Sequence, residues 1–565
     1  MTTTATAPET THPATDAGRT WLFAHVATLV AGVPVLLWIN RDQWFAGDEF
    51  EVVITNGLGS NPARASIFAP HFEHWSTLGV LVYKALYSVF ALRSYVPYVL
   101  VLIAVLLAIA HLTWRLLLRV GVAPAYATAV AALTMVLAVG WENRSTAWQI
   151  TIIAPIALGF GALLLMPERG AWCRRDLGVV ALLLVGLTCS GVGVTMTVVV
   201  AIAALLRRGW RVAAATVALP AAVYAVWYAF EGTEGQRNHT ALSTALRDMP
   251  GFVWRGLDAA YSGLTRIENS GYVVLAALVV WLVWRARPRR EPWPLVIATT
   301  IGAVVSLALT ALRRAGASPE SRYSDIVVLL SLPAIALATQ EAGRALAHRF
   351  GRVAVAVCSA VVVAFLVVQV VTLDREVRDE PFIGEMRPRV LATALIMRNH
   401  EPTATDDIFG IPYLTEPSTN TIARFDRSDE LPALDVSQAD VLTAREYVET
   451  VIGNASAYPE GVVRVERAEH ASTGAATAPG CLTVTPATPR ARPVVLLHVP
   501  AAGSFRVASD RADTTALSLV ERSARGRSRE FPTGPGDGTA IGISRATDLE
   551  LTLPAGTTST LCGLG

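Results

Sequence analysis

A series of apolar segments, each about as long as a bilayer is thick and separated by polar or arginine-rich stretches, constrains this chain most. A helix crosses the hydrocarbon core with about 20 predominantly apolar residues. The composition agrees, since 53% of the 565 residues are hydrophobic and only 16% are charged. We therefore predict an α-helical polytopic membrane protein. The segments are 21–39, 95–114, 122–140, 148–166, 177–206, 212–230, 272–284, 293–312, 326–339 and 353–373.

Two stretches determine the predicted topology. Segment 76–92 is apolar but contains Lys84, and 177–206, about 45 Å long as a helix, exceeds one crossing and is interrupted at 189–193. If the first lies along the outer surface and the second is a hairpin, the arginine clusters fall on one side. The positive-inside rule then predicts about eleven spans, a cytoplasmic N-terminus and an extracytoplasmic C-terminus. The alternative is that 76–92 is itself a short span. The clusters are 115–119, 169–175, 207–211, 285–290 and 344–352.

Both ends of the chain differ from the apolar middle, 21–373. Residues 1–20 are rich in Thr, Ala and Pro, which predicts a disordered cytoplasmic tail and not a signal peptide. Residues 374–479 predict a mixed α/β extracytoplasmic segment. Residues 480–565 contain short alternating runs between turn residues, which predicts a β-sandwich. Cys481 and Cys562 bracket that part, and outside the cytoplasm such a pair predicts a disulfide.

The charge balance excludes one class of partner. The net charge is +2 and the basic residues are distributed among the loops, so nothing favours nucleic-acid binding. Arginine far outnumbers lysine, and alanine and valine are abundant, as in proteins of GC-rich bacteria. We expect a bacterial plasma-membrane protein.

The predicted outer loop 40–94 contains the first candidate chemistry. Asp48 and Glu49 follow the first span closely enough to meet a substrate whose lipid tail stays in the bilayer. A carboxylate there can act as general base on an acceptor hydroxyl, or hold a divalent cation against a phosphate. The alternative is that both are solvated loop residues.

A histidine-rich motif, HFEHW, follows in the same loop. His71 and His74 would share one face of a helix, and with Glu73 they could bind a metal or orient a phosphate. The spacing is not that of an HExxH zinc motif. Polar contacts lining a cavity, or a helix cap, are the alternatives.

Further polar residues lie in the other predicted outer loops. The loop 231–271 contains an amphipathic stretch, 252–264, that predicts an interfacial helix. Arg322 and Tyr323 precede a span, where an arginine can clamp a lipid phosphate. Arg313 and Arg314 fit phosphate binding and interfacial snorkelling equally well. In the loop 141–147 and at the start of the next span, Glu142, Asn143 and Gln149 could line the same cavity, and a purely structural role fits them equally well.

Together these features resemble the GT-C superfamily of integral membrane glycosyltransferases. The resemblance rests on the acidic pair Asp48–Glu49 in a large first outer loop, on the SRY sequence ending at Tyr323, on the span pattern and on the outer β-rich domain. It implies inverting transfer of a sugar from a polyprenyl-phosphate donor to a cell-envelope glycan, lipid or protein. Asp48 would be the base, Glu49 its neighbour or a cation ligand, and Arg322 would face the donor phosphate. Some members need a divalent cation and others do not, so the cofactor stays open.

Two other functions fit the sequence. A transporter or flippase for lipid-linked glycans predicts ionisable residues near the bilayer midplane and paired broken helices. A non-catalytic envelope-assembly protein predicts that Asp48 is dispensable.

Overall fold

The structure is a computed structural model whose helical and strand segments fall into two compact units. The first unit comprises Met1–Trp44, Arg64–Phe90 and Ser94–Gly384, and the second comprises Phe45–Ala63, Ala91–Arg93 and Glu385–Gly565. Residues 45–63 of the predicted first outer loop thus group with the C-terminal part of the chain. The described residues are 14–62, 65–233, 242–288, 290–314, 320–379, 381–398, 417–438, 440–441, 444, 450–452, 460–476, 478–519, 529–536, 538–543 and 547–564.

The first unit is helical. Its elements are α1 (Ala14–Ile39), α3 (Thr77–Phe90), α4 (Val96–Arg119), α5 (Pro124–Val136), α6 (Glu142–Ser145), α7 (Ile150–Leu165), α8 (Arg174–Leu187), α9 (Val192–Arg208), α10 (Trp210–Trp227), α11 (Leu242–Thr265), α12 (Gly271–Arg285), α13 (Trp293–Arg314) and α14 (Ser321–Asp379). Short 3-10 turns flank α6 at Ala138–Gly140 and Ala147–Gln149, and a π turn, Tyr228–Gly232, extends α10.

Among the described residues, six helices are long and apolar enough to cross a membrane. The count of about eleven spans is therefore not confirmed. The stretches 77–90, 124–140 and 271–285 form shorter apolar helices, and the predicted hairpin 177–206 divides into α8 and α9. The six are Arg19–Ile39, Val96–Arg119, Ala147–Leu165, Trp210–Gly232, Trp293–Arg314 and Ser321–Asp379.

The last two predicted spans fall within α14, which is 59 residues long and consists of two helices that meet at a kink. Its only non-helical residue is Gly351, at φ 59° and ψ −141°, a conformation that glycine adopts without strain. The arginine-rich stretch predicted to separate two spans is thus helical except at this glycine.

A buried ion pair connects α14 with the segment before α7. Arg144 Nη1 lies 3.0 Å from Asp325 Oδ1, and both side chains are at most 1% exposed. Arg144 also donates hydrogen bonds to the carbonyl oxygens of Gly140 (2.9 Å) and Thr134 (2.8 Å). A Cβ at position 140 would lie 2.3 Å from Arg144 Nη1 and from Asp325 Cγ. Only glycine leaves room for this pair.

The second unit joins α2 (Asp48–Thr55) to α16 (Thr419–Arg427) and contains most of α15 (Pro381–Met397). The loop after α16 contacts two distant segments of the chain. Glu430 Oε1 accepts a hydrogen bond from Ser60 N at 2.7 Å, and its carbonyl oxygen accepts one from Leu92 N at 3.0 Å. These bonds explain why 45–63 and 91–93 belong to this unit.

The C-terminal part of the second unit consists of two antiparallel sheets. One has the order β1-β9-β6-β11-β4-β3 and the other β2-β5-β10-β7-β8. Both sheets contribute alternate residues, among them Phe505, Leu497 and Leu549, to one buried core. The strands are β1 (Thr450–Ile452), β2 (Arg464–Glu469), β3 (Ala471–Ala475), β4 (Cys481–Pro486), β5 (Val494–Val499), β6 (Gly503–Ser509), β7 (Asp513–Leu519), β8 (Arg529–Thr533), β9 (Thr539–Ile543), β10 (Thr547–Thr552) and β11 (Ser559–Cys562).

A disulfide joins Cys481 to Cys562, as the sequence predicts. The two residues are direct cross-strand partners on β4 and β11. The disulfide therefore connects the first residue of β4 to the last residue of β11.

Candidate functional site

A cavity of about 210 Å³ in the first unit brings together several of the polar residues singled out in the sequence. Its walls come from α9, α13, the start of α14, the end of α10 and the HFEHW turn. The titratable lining residues are Glu73, His74, Tyr224, Tyr228, Arg313, Arg314 and Tyr323. Hydroxyl groups of Thr195, Ser306 and Thr310 and apolar side chains complete the lining.

Two arginines at the end of α13 give the cavity its positive wall. Arg313 Nη2 donates a hydrogen bond to the phenol oxygen of Tyr228 at 2.8 Å. Arg314 lies over the ring of Tyr323, with Cζ 5.6 Å from the ring centroid. Planar guanidinium groups at a partly apolar site are suited to binding phosphate or carboxylate oxygens.

A chain of ion pairs holds the second of these arginines in place. Arg314 contacts Glu73 Oε1 at 3.4 Å and Glu320 Oε1 at 2.8 Å. Glu320 also contacts Arg322 Nη2 at 2.5 Å, and Arg322 Nε lies 3.6 Å from Glu142 Oε2. The alternating charges fix the side chains around the cavity, because each group has partners on two sides.

The end of this network is anchored to α6. Ser321 Oγ donates to Glu142 Oε1 at 2.7 Å, and the next residue, Asn143, donates from Nδ2 to the carbonyl oxygen of Arg322 at 3.1 Å. Asn143 also donates to Asp325 Oδ2 at 2.9 Å, which connects the site to the buried ion pair.

The HFEHW motif is a tight turn and not a helix. The backbone N–H of His71 bonds to the carbonyl of His74 at 3.0 Å, and the reverse bond has the same length. Phe72 has φ 52°, in the left-handed region. The turn directs Glu73 and His74 to the cavity, whereas the His71 ring packs edge-on against Trp148 at 5.1 Å. A Cβ on Gly191 would lie 3.4 Å from His74 Nδ1, so the α8–α9 connection closely approaches this imidazole.

The charges of the cavity set the protonation of these two groups. Burial lowers the pKa of His74, as do the guanidinium groups of Arg314 and Arg322, and these effects outweigh the attraction of Glu73. Burial by itself would raise the pKa of Glu73, but the positive charges of His74, when it is protonated, and of Arg314 bring it below its ordinary value. At neutral pH the cavity therefore presents a neutral imidazole beside an ionised carboxylate.

An apolar groove of about 440 Å³ adjoins the cavity. It lies between α9 and α10 and shares Val194, Tyr224 and Tyr228 with the cavity lining. Nearly all its other lining groups are hydrocarbon, including Val198, Leu187, Ala201, Val217 and Pro220. A ligand with an apolar chain and an anionic head can occupy both spaces at once.

Asp48 and Glu49 lie in the second unit, at the N-terminus of α2. Glu49 is fully buried, and its Oε2 accepts a hydrogen bond from the backbone N–H of Ala46 at 3.0 Å. Asp48 is partly exposed. This bond gives Glu49 a role in closing the first turn of the helix.

The other predicted residues are distributed around the cavity. Tyr323 lines it, and Arg322 and Glu142 reach it through Glu320. Gln149 is buried and is not one of the residues that line this cavity.

Sequence reasoning did not select several lining residues. Arg313 and Arg314 fit snorkelling as well as binding, and Tyr224 and Tyr228 are part of an apolar helix. A signal existed for the tyrosines, since they lie four residues apart and therefore on one helix face.

Comparison with known proteins adds no assignment. No protein-family model matches the chain, and no curated protein matches it.

Proposed function

We propose that this chain is a GT-C-type membrane glycosyltransferase that moves a sugar from a polyprenyl-phosphate donor to a cell-envelope glycan, lipid or protein at the outer membrane face. The observation that carries the proposal is the shared wall between a cavity containing arginines and an apolar groove. A donor of this class has the matching chemistry, a phosphate followed by a long hydrocarbon chain. The proposal includes the eleven-span topology and an extracytoplasmic β-sandwich.

In the proposed reaction the donor phosphate lies against Arg313 and Arg314. The acceptor oxygen attacks the anomeric carbon from the opposite face, a C–O bond forms, and the bond from that carbon to the phosphate oxygen breaks. Polyprenyl phosphate leaves with the electron pair, and the guanidinium groups stabilise its added charge. The leaving group then needs no general acid.

The acceptor hydroxyl must lose its proton to a base. The resemblance assigns this role to Asp48, with Glu49 beside it or binding a divalent cation. The cavity offers a second candidate, since neutral His74 can accept a proton and Glu73 can stabilise the imidazolium that forms. If Asp48 is the base, Asp48→Asn should impair transfer. If His74 is the base, His74→Gln should impair it instead.

The test is transfer of radiolabelled sugar from a panel of polyprenyl-phosphate donors by the purified chain, with donor binding measured separately. Arg314→Gln should weaken donor binding, because it removes a guanidinium from the cavity. Asp48→Asn should leave donor binding intact and lower transfer about 100-fold or more if Asp48 is the base. Arg375→Gln is the matched control, since that side chain is 79% exposed and distant in sequence from the cavity residues.

Each outcome is informative. Loss of transfer in His74→Gln with normal activity in Asp48→Asn would assign the base to the cavity. Donor binding that is unchanged in Arg314→Gln would contradict the placement of the phosphate. Absence of transfer by the wild-type chain with every donor would refute the proposed glycosyltransferase activity and favour a transporter or an assembly protein.

A further inference from the structure

The outer face of the five-stranded sheet brings three metal-ligating side chains together, independently of the cavity in the first unit. Glu466, His498 and Asp548 each offer one ligand atom, and these atoms lie within 4.8 Å of one another. His498 Nδ1 is 2.7 Å from Asp548 Oδ1 and 4.0 Å from Glu466 Oε1. Their side chains are about half exposed, so the cluster is open to solvent.

The sheet register explains how the three residues meet. They occupy the adjacent strands β2, β5 and β10, and Asp548 is the direct cross-strand partner of His498. On β5 the alternate residues Val495, Leu497 and Val499 are buried, so His498 lies on the opposite, outer face.

An irregularity in β2 supplies the third residue. The register shifts between Val465, which pairs with Leu497, and Arg467, which pairs with Leu496. Glu466 is therefore the extra residue of a β-bulge, without a partner position of its own. Bulges redirect a side chain, and here the shift brings a carboxylate beside the histidine of the next strand.

We propose that Glu466, His498 and Asp548 bind a divalent transition-metal ion of the Zn²⁺ class. Imidazole nitrogen and carboxylate oxygen atoms are both ligands of Zn²⁺ in proteins, with ligand bonds of about 2.0–2.2 Å. At that bond length tetrahedral ligand atoms are separated by about 3.5 Å. In the structure, His498 Nδ1 is 2.7 Å from the Asp548 carboxylate and 4.0 Å from the Glu466 carboxylate, one distance shorter and one longer than this separation. Small side-chain rotations are therefore sufficient to bring the three ligand atoms around one ion.

The charges and donor types select this class of ion. The two carboxylates balance a divalent charge. Arg464, the cross-strand partner of His498 on β2, has a positive charge that repels the ion. Ca²⁺ and Mg²⁺ prefer six or more oxygen ligands, and the imidazole nitrogen favours zinc instead. The fourth position of the ion stays open to water or to an oxygen atom of an external ligand.

The test uses the full chain in detergent, stripped with EDTA, desalted, and titrated with ZnCl₂ against a chromophoric chelator. We expect the wild-type chain to bind one Zn²⁺ more tightly than His498→Gln, by about tenfold or more. His470→Asn is the matched control, since this exposed histidine has φ 56°, which asparagine also adopts, and is outside the cluster.

Asp548→Asn provides a second, independent measurement, because it keeps the shape of the side chain and removes one anionic ligand. Cobalt(II) absorption bands that appear with the wild-type chain and not with either cluster variant would further support coordination. Zn²⁺ titrations that coincide for the wild type, His498→Gln and Asp548→Asn would overturn the proposal. Melting temperatures without metal establish that the variants are folded.

Discussion

Asp325→Asn is the substitution whose effect the structure specifies best. It removes one charge from the Arg144–Asp325 pair, in which the two side chains are 1% and 0% exposed and the charged atoms are 3.0 Å apart. Arg144 then remains buried without a counter-charge, although it keeps its hydrogen bonds to two backbone carbonyls. Removing one partner of a buried pair costs about 3–5 kcal/mol. The equilibrium between folded and unfolded chain should therefore shift by about 160- to 5,000-fold.

The assay is unfolding of the purified chain in mixed micelles by increasing SDS, followed by circular dichroism. Asp379→Asn is the control, because it breaks an exposed pair with Arg375 whose side chains are 79% and 66% exposed. Such pairs contribute about 0–1 kcal/mol. The double variant Arg144→Met with Asp325→Leu should recover part of the loss, since neither charge then remains buried.

Equal unfolding transitions for Asp325→Asn and Asp379→Asn would refute this reasoning. That result would mean that Arg144 reaches water or another anion in the native state. A double variant less stable than Asp325→Asn would also contradict it, because the hydrogen bonds of the arginine would then outweigh its uncompensated charge.

Three further predictions concern other parts of the chain. Replacing Cys481 and Cys562 by alanine removes a link between residues 81 positions apart and should cost about 2–5 kcal/mol, measured by thermal unfolding of the β domain. Burial raises the pKa of Asp176, but hydrogen bonds from Arg208 and a backbone N–H hold it below its ordinary value, so their stabilisation is present above about pH 4 and is lost in more acid solution. Asp176→Asn should therefore destabilise the chain at pH 7, with a difference from wild type that shrinks in acid. Gly140→Ala places a Cβ 2.3 Å from atoms of the buried ion pair and should cost at least about 1–3 kcal/mol.

The disulfide and Gly140 predictions each have a control variant within the chain. Cys173→Ala removes an exposed free cysteine and should leave the unfolding of the β domain unchanged. Gly343→Ala adds a Cβ with no heavy atom within 4 Å, in the middle of a helix, and should be neutral or slightly stabilising. A stability difference for Asp176→Asn that grows on acidification would show that the sign of its contribution is wrong.

Sequence patterns were sufficient where local periodicity determines the structure. The alternation in Val494–Val499 predicts a strand with one buried face, and the sheet has that arrangement. The helix break at 189–193 also follows from composition, because Ser190 and the glycines beside it interrupt a run too long for one crossing. The disulfide belongs to the same group, since two cysteines at the ends of a β-rich segment have few other partners.

Sequence patterns did not predict the structure where a single backbone angle, or a contact between residues distant in sequence, determines it. Nothing in HFEHW predicts that Phe72 adopts a positive φ, and that angle converts a candidate helix into the turn that exposes Glu73 and His74 to the cavity. The pairing of Arg314 with Glu73 joins residues 241 positions apart. Spacing along the sequence has no information about such a contact.

Tyr228 belongs to both the cavity and the apolar groove, and its hydroxyl accepts a hydrogen bond from Arg313. If the groove opens to the bilayer, as the proposed function requires, a molecule that reaches Arg313 along it travels within a hydrocarbon phase and not through water. Its effective concentration is then its mole fraction among the surrounding lipids, and diluting the sample with buffer leaves that quantity unchanged. Adding detergent lowers this mole fraction. The substrate level that gives half-saturation should therefore be the same at two detergent concentrations only when it is expressed as moles of substrate per mole of lipid and detergent.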